Sequence, residues 1–271
     1  MSHRHIFYIS DRTGNTAKAI GQSLLSQFDG LEVQSTLLPF TDTAEKVERV
    51  ARQINEASEN SPQKPIVFNT LVDPYHQQII ATTDAVIIDL YHQFTGLLEN
   101  ALQVDSSHAT GMVHEKFEYS EYQSRIDAIE YATKYDDGVI NKQYEDAKVI
   151  LLGVSRSGKT PTCIYLAVNF SIKAANYPLT GEVLESGKLP KSLLEHLDKC
   201  IGLTLSPNQL YEMRQKRRLG SDYSSLSTCV HEIRLAEKLY DHYNIPTIES
   251  TATSVEEISV NILQLKNLTL Y

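Results

Sequence analysis

"KVILLGVSRSGKTPTCIYLAVNF", residues 148–170, decides how this chain is read. An apolar run, 148–153, leads into a polar loop, and the loop leads into apolar residues at helical spacing. Gly153, Gly158, Lys159 and Thr160 spell G-x-x-x-x-G-K-T. Strand before and helix after are the context a phosphate-binding loop requires. The glycines let the backbone curl so that the N–H groups of Gly153, Val154, Ser155, Arg156, Ser157, Gly158, Lys159 and Thr160 turn inward toward phosphate oxygens. The helix N-terminus adds partial positive charge. Lys159 reaches the outer phosphates, and the Thr160 hydroxyl is the expected ligand for Mg²⁺.

Outward from the loop, strand and helix signals alternate. Strands are expected at 5–10, in 31–40, at 66–72, 84–90, 148–153, 201–206 and 245–250. Helices are expected between them, including 43–57, 121–134, 191–199, 207–218 and 224–243. Ala17, Ile20, Leu24 and Phe28 mark one face of a first helix. Ser254 and Glu257 form a capping box that opens the last. The fold class is α/β, with mainly parallel sheets and flanking helices. An N-terminal α/β domain for regulation or partner binding is expected over 1–146, and a kinase-like nucleotide-binding domain over 147–271. No internal repeat is visible.

Composition narrows the function. The 271 residues carry a net charge of −9, with 41% apolar and 22% charged residues. An acidic chain of this kind is a poor ligand for nucleic acid, whose binding rests on neutralised phosphates. No apolar run has membrane-spanning length, and "MSHRHIFYIS" lacks the apolar core of a signal peptide. Three dispersed cysteines, Cys163, Cys200 and Cys229, fit reduced thiols in the cytoplasm. The nine histidines show no zinc-ligand spacing.

The GTPase signature N-K-x-D is missing after the loop, as are the protein-kinase signatures HRD and DFG. A small kinase-like domain uses arginines against the transferred phosphoryl group. "MRQKRR" offers Arg214, Lys216, Arg217 and Arg218, and spacing puts Arg214 and Arg217 on one helix face. Asp136 and Asp137, in "YDDG", are candidates for accepting a proton or holding Mg²⁺; a plain turn is the other reading. In "SDRTGNTA", 10–17, Ser10, Thr13, Gly14 and Thr16 form an anion-binding nest, a surface that receives the partner's phosphothreonine, or a plain turn at Gly14 with a helix cap from Thr13 or Asn15. Asp89 closes a strand as metal-holding aspartates do, but it precedes the loop, and capping or surface placement is favoured. His114 and Tyr223 are further candidates beside ordinary structural roles.

"GVSRSGKTPTCIYLAVNFSIKAANYPL", 153–179, resembles the family of phosphoenolpyruvate synthetase and pyruvate,phosphate dikinase regulatory proteins. The likeness runs nearly end to end. "ISDRTGNTA" is similar to the family's SDxTGxTA. "RIDAIEYATKYDDG" resembles RIxAIExAxxHDDG, with Tyr135 in place of His. "GLTLSPNQLYEMRQKR" resembles GLTxxPxxLxxIRxxR, with Met213 in place of Ile, and "TSVEEIS" is similar to the family's ending. GKT, rather than SKT, points to the synthetase branch. The resemblance implies a two-way enzyme. One direction moves the β-phosphoryl of ADP to a threonine of phosphoenolpyruvate synthetase, releases AMP and inactivates the target. The other uses inorganic phosphate to remove that group as pyrophosphate. The catalytic set expected from the loop, the paired aspartates and the basic run is Lys159, Asp136, Asp137, Arg214 and Arg217, and a homodimer is the expected assembly. A small-metabolite kinase and a nucleotide-sensing module without catalysis are the alternatives.

Overall fold

The structure, a computed structural model, describes residues 3–107, 109, 119–136, 144–217 and 222–268. The chain divides into two compact units, residues 1–116 and 117–271.

In the first unit β1 (Arg4–Ile9), α1 (Asn15–Leu25), β2 (Val33–Leu38), α2 (Ala44–Glu59), β3 (Ile66–Asn69), α3 (Pro74–Ala81), β4 (Val86–Asp89) and α4 (Leu90–Leu102) follow in order. All strand pairs are parallel, in the spatial order β2-β1-β3-β4. Alternate residues of β1 face opposite sides, as a strand's period of two requires. Phe7 and Ile9 pack with Val47, Val50 and Ile54 of α2. Ile6 and Tyr8 pack with Phe68 and Ala17 of α1. Of the expected apolar face of α1 only Ala17 is buried. Ala17 and Gly21 are buried, whereas Ile20, Leu24 and Phe28 are exposed. Small residues let this helix lie close on the sheet: a Cβ on Gly21 would meet Tyr8 Cε1 at 2.5 Å.

The second unit opens with α5 (Tyr119–Lys134), then β5 (Val149–Gly153), α6 (Lys159–Phe170), β6 (Ala174–Pro178), α7 (Gly181–Ser186) and α8 (Lys191–Leu194). A 3₁₀ turn at Leu197–Lys199 leads to β7 (Cys200–Thr204) and α9 (Pro207–Gln215). A second 3₁₀ turn at Asp222–Ser224 is followed by α10 (Leu226–Tyr243), β8 (Thr247–Glu249) and α11 (Val255–Leu265). The helix expected over 191–199 is thus two short pieces. Both bonds of the Ser254–Glu257 capping box are present. The parallel order is β6-β5-β7-β8, the same arrangement as in the first unit. Ile150 and Leu152 face a core that includes Leu184, Leu193, Leu210 and Leu239. Val149 and Leu151 face Ala128, Ala132, Leu166 and Ile262. Helices therefore cover both sides, as the sequence implied.

The division falls at 116/117, not near 146. Helix α5, assigned by sequence to the first domain, buries Ala128 and Ala132 with Cys163, Leu166 and Ala167 of α6. Its small face is what permits that close packing.

All three cysteines are buried thiols outside any disulfide. Burial pushes the Cys200 thiol up to about 12 and raises that of Cys229. Only the thiolate attacks disulfide reagents. The native protein at pH 8 is therefore expected to show no fast-reacting thiol, with three appearing on denaturation. A stoichiometric fast phase in native protein, read by a chromogenic disulfide, would contradict this packing.

Candidate active site at the phosphate loop

Strand β5 lies between β6 and β7, and the chain leaves it first toward one neighbour and later returns on the other. The carboxyl end of such a strand is where parallel sheets hold ligands. The loop 154–158 sits there. A Cβ on Gly153 would stand 2.4 Å from Ser157 Oγ and 3.1 Å from the Leu203 carbonyl oxygen. Only glycine fits that approach. Gly158 precedes α6 at φ 91°, with no side-chain cap, and Arg156 also has positive φ, 79°. These left-handed residues turn the loop back on itself, and the first N–H groups of α6 are without partners inside the helix. Ser155 and Arg156 are exposed, while Val154, Ser157 and Lys159 are buried.

Lys159 is 5% exposed. Its Nζ donates to the Val154 carbonyl at 2.9 Å, so the side chain folds back over the loop. Thr160 Oγ1 donates to Asp136 Oδ1 at 2.8 Å. Asn176 Nδ2 donates to the same Oδ1 and to Thr160 Oγ1, the latter at 3.0 Å. Asp136 lies just past the end of α5, Thr160 is in the first turn of α6, and Asn176 is the middle residue of β6. Backbone bonding sets this meeting: the Asn176 N–H donates to the Tyr135 carbonyl at 3.1 Å, tying β6 to the residue before Asp136. Tyr135, where the resembled family has histidine, stacks on Tyr131 with centroids 4.3 Å apart. Burial raises the phenol pKa values of Tyr131 and Tyr177 above the ordinary range. Both stay neutral at pH 7.

Sequence missed Asn176. The signal was the segment "AANYPL" itself, whose alanines and proline do not read as a strand. Asp137, His114 and Arg218 lie outside the described residues.

The two remaining arginines separate. Arg214 is fully buried. Its guanidinium donates to the Tyr223 carbonyl at 3.0 Å and the Ser155 carbonyl at 3.3 Å, and pairs with Glu232. It lies over the Tyr223 ring, 4.1 Å from the centroid, and Tyr223 Oη donates to Ser155 Oγ at 2.8 Å. Arg214 thus grips the loop's backbone. Arg217 lies beyond the end of α9 and is exposed. The expected shared face does not exist, because α9 stops at Gln215. Lys216 is exposed as well.

In the first unit, Asp89 caps α4 by accepting from the His92 N–H at 2.9 Å, one of the two roles favoured by sequence. Gly14 is the N-cap of α1 at φ 76°, with no side-chain cap, so neither Thr13 nor Asn15 caps it. Among the described residues no cluster of three or more His, Cys, Asp or Glu could hold a metal ion, and no helix is long and apolar enough to cross a membrane.

Residues 6–263 match the kinase/pyrophosphorylase family. A protein of Alkalilimnicola ehrlichii named "Putative phosphoenolpyruvate synthase regulatory protein" is 46% identical over 262 residues, 97% of this chain and 95% of that protein. Proteins of the same name from Laribacter hongkongensis and Burkholderia mallei are each 44% identical. They cover 97% and 96% of this chain, and 97% and 95% of their own lengths.

Proposed function

The chain belongs to the kinase/pyrophosphorylase family, and on that premise we propose that it regulates phosphoenolpyruvate synthetase by reversible phosphoryl transfer to a threonine. ADP is the donor in the inactivating direction. Inorganic phosphate is the acceptor in the activating direction, with pyrophosphate as product. The observation that carries this reading is the phosphate loop with Lys159 folded over it and Asp136, Thr160 and Asn176 joined beside it. The names of the relatives supply the target.

The loop's N–H groups would bind the two phosphates of ADP in one direction, and those of the forming pyrophosphate in the other. Lys159 exchanges the Val154 carbonyl for phosphate oxygens. The donor set fits Mg²⁺, which favours hard oxygens and is held by one or two protein groups together with substrate phosphates. Thr160 and Asp136 would hold it, and Asn176 orients both. Mg²⁺ would neutralise charge on the transferring group. Because Asp136 Oδ1 already accepts from Thr160 and Asn176, this carboxylate serves the cation side rather than proton removal. Arg214 and Tyr223 keep the first half of the loop in shape.

Incubation of purified phosphoenolpyruvate synthetase with this protein, ADP and Mg²⁺, followed by mass spectrometry, tests the proposal. A phosphothreonine on the target with matching AMP is the expected result. Phosphorylation of a small metabolite instead, or ADP binding without AMP release, would overturn it.

A further inference from the structure

Among the described residues, strand β8 is an edge of the second sheet and pairs with β7 alone. The Pro246 carbonyl accepts from the Gly202 N–H at 2.9 Å, and the Ser250 N–H donates to the Thr204 carbonyl at 2.8 Å. In a parallel ladder, residues that bond a neighbouring strand alternate with residues that turn away from it. Thr247 and Glu249 are the ones that turn away. The Glu249 carbonyl accepts from Thr253 Oγ1 at 3.0 Å. The Thr247 N–H, the Thr247 carbonyl and the Glu249 N–H are left facing off the sheet, a row with which a further strand can pair.

A groove of about 650 Å³ runs along this edge, between β8 and α10. Leu205, Val230 and Ile233 give it apolar walls, and its charged groups are Arg234, Glu237 and Glu249. Each carboxylate is held by a threonine: Thr204 Oγ1 donates to Glu237 Oε1 at 3.0 Å, and Thr251 Oγ1 to Glu249 Oε1 at 2.7 Å. An ionised carboxylate accepts several hydrogen bonds, so both keep capacity for a donor that enters the groove. Two carboxylates against one guanidinium leave the groove negative. Its upper end also meets the phosphate loop. Ser250 Oγ donates to the Ser157 carbonyl at 3.2 Å, and the Ser206 N–H donates to Thr251 Oγ1 at 2.8 Å. The segment after β8 is thus bonded both to the loop and to the lining of the groove.

We infer that β8 and this groove dock the protein substrate: an extended segment with a basic side chain adds as a strand beside Thr247 and Glu249, next to the phosphate loop. The inference rests on the reading above that the acceptor is a protein, and it adds where that protein is held. Main-chain bonds to the edge supply affinity without regard to sequence. A strand's period of two puts alternate side chains into the groove, where Glu237 and Glu249 select the basic one. A nucleoside could use the carboxylates through its hydroxyls, but it has no set of main-chain groups to match the edge. The docking bonds lie outside the phosphate loop, so their loss changes target affinity and leaves nucleotide affinity alone.

The test is binding of purified phosphoenolpyruvate synthetase to the full chain by calorimetry, with ADP binding measured on the same proteins. Thr247→Pro removes an outward N–H and spares the bonds to β7, a change that edge strands tolerate. Target affinity should fall about two- to tenfold, the value of one neutral hydrogen bond. Glu237→Gln keeps an acceptor for Thr204 and loses the charge. Target affinity should fall at least about tenfold, the value of one charge-assisted bond, and ADP affinity should hold in both variants. Amide hydrogen exchange at 247–249 in wild type should slow when the target binds. No binding of the target, unchanged affinity in both variants, or unprotected 247–249 amides in the complex overturns the inference. A parallel loss of ADP affinity assigns the groove to the nucleoside and also overturns it. Target binding that both variants weaken, without phosphothreonine on the target, upholds the docking and removes the transfer reaction instead.

Discussion

Lys159→Ala is expected to leave a folded protein with turnover lowered at least about a hundredfold in both directions, the usual cost of removing one preorganised donor from a transition state. The ammonium is held over the loop by the Val154 carbonyl at 2.9 Å and is 5% exposed. It is thus placed before any ligand arrives and needs little rearrangement to meet a phosphate. Alanine removes the charge and leaves β5, the glycines and the helix N-terminus in place, so nucleotide binding should weaken less than turnover. Steady-state AMP release and pyrophosphate release, measured on the same preparation, check this. Loss in one direction only would separate the two reactions.

Arg214→Ala is expected to act on stability first. The guanidinium is fully buried and joins α9, the 222–224 turn, α10 and the loop through Tyr223, Glu232 and Ser155. Removing one partner of a buried ion pair costs about 3–5 kcal/mol. The Glu232 side chain is 22% accessible, which places the loss near about 3 kcal/mol. Arg217→Ala, at an exposed position, should stay within about 0.5 kcal/mol of wild type. Urea unfolding of both variants distinguishes them. An Arg214→Ala protein of wild-type stability with abolished turnover would return this arginine to the reacting groups.

The loop and its flanking elements were legible because their information is local: an apolar strand, two glycines and a helix within one stretch. The cluster beside it was not. Asn176 sits on β6, an edge strand, where proline is tolerated and an alanine-rich segment ending in Pro178 does not look like a strand. Asp136 meets Thr160 only because α5 packs on α6 through alanines, a contact between segments far apart in sequence. The role of Arg214 was hidden for another reason. Spacing in "MRQKRR" puts Arg214 and Arg217 on one helix face, and nothing in it reveals that Arg214 is enclosed while Arg217 is exposed. The likeness of the two units was equally hidden. It resides in strand order, β2-β1-β3-β4 against β6-β5-β7-β8, which no local signal carries.

If one loop serves both directions, the α- and β-phosphates of ADP occupy the places of the two halves of pyrophosphate. Inhibition of phosphate-dependent dephosphorylation by AMP is the most direct test. AMP is predicted to compete with inorganic phosphate, raising its apparent KM and leaving the maximal rate of pyrophosphate release unchanged. A lowered maximal rate with an unchanged KM for phosphate would contradict the shared pocket and place the attacking phosphate elsewhere.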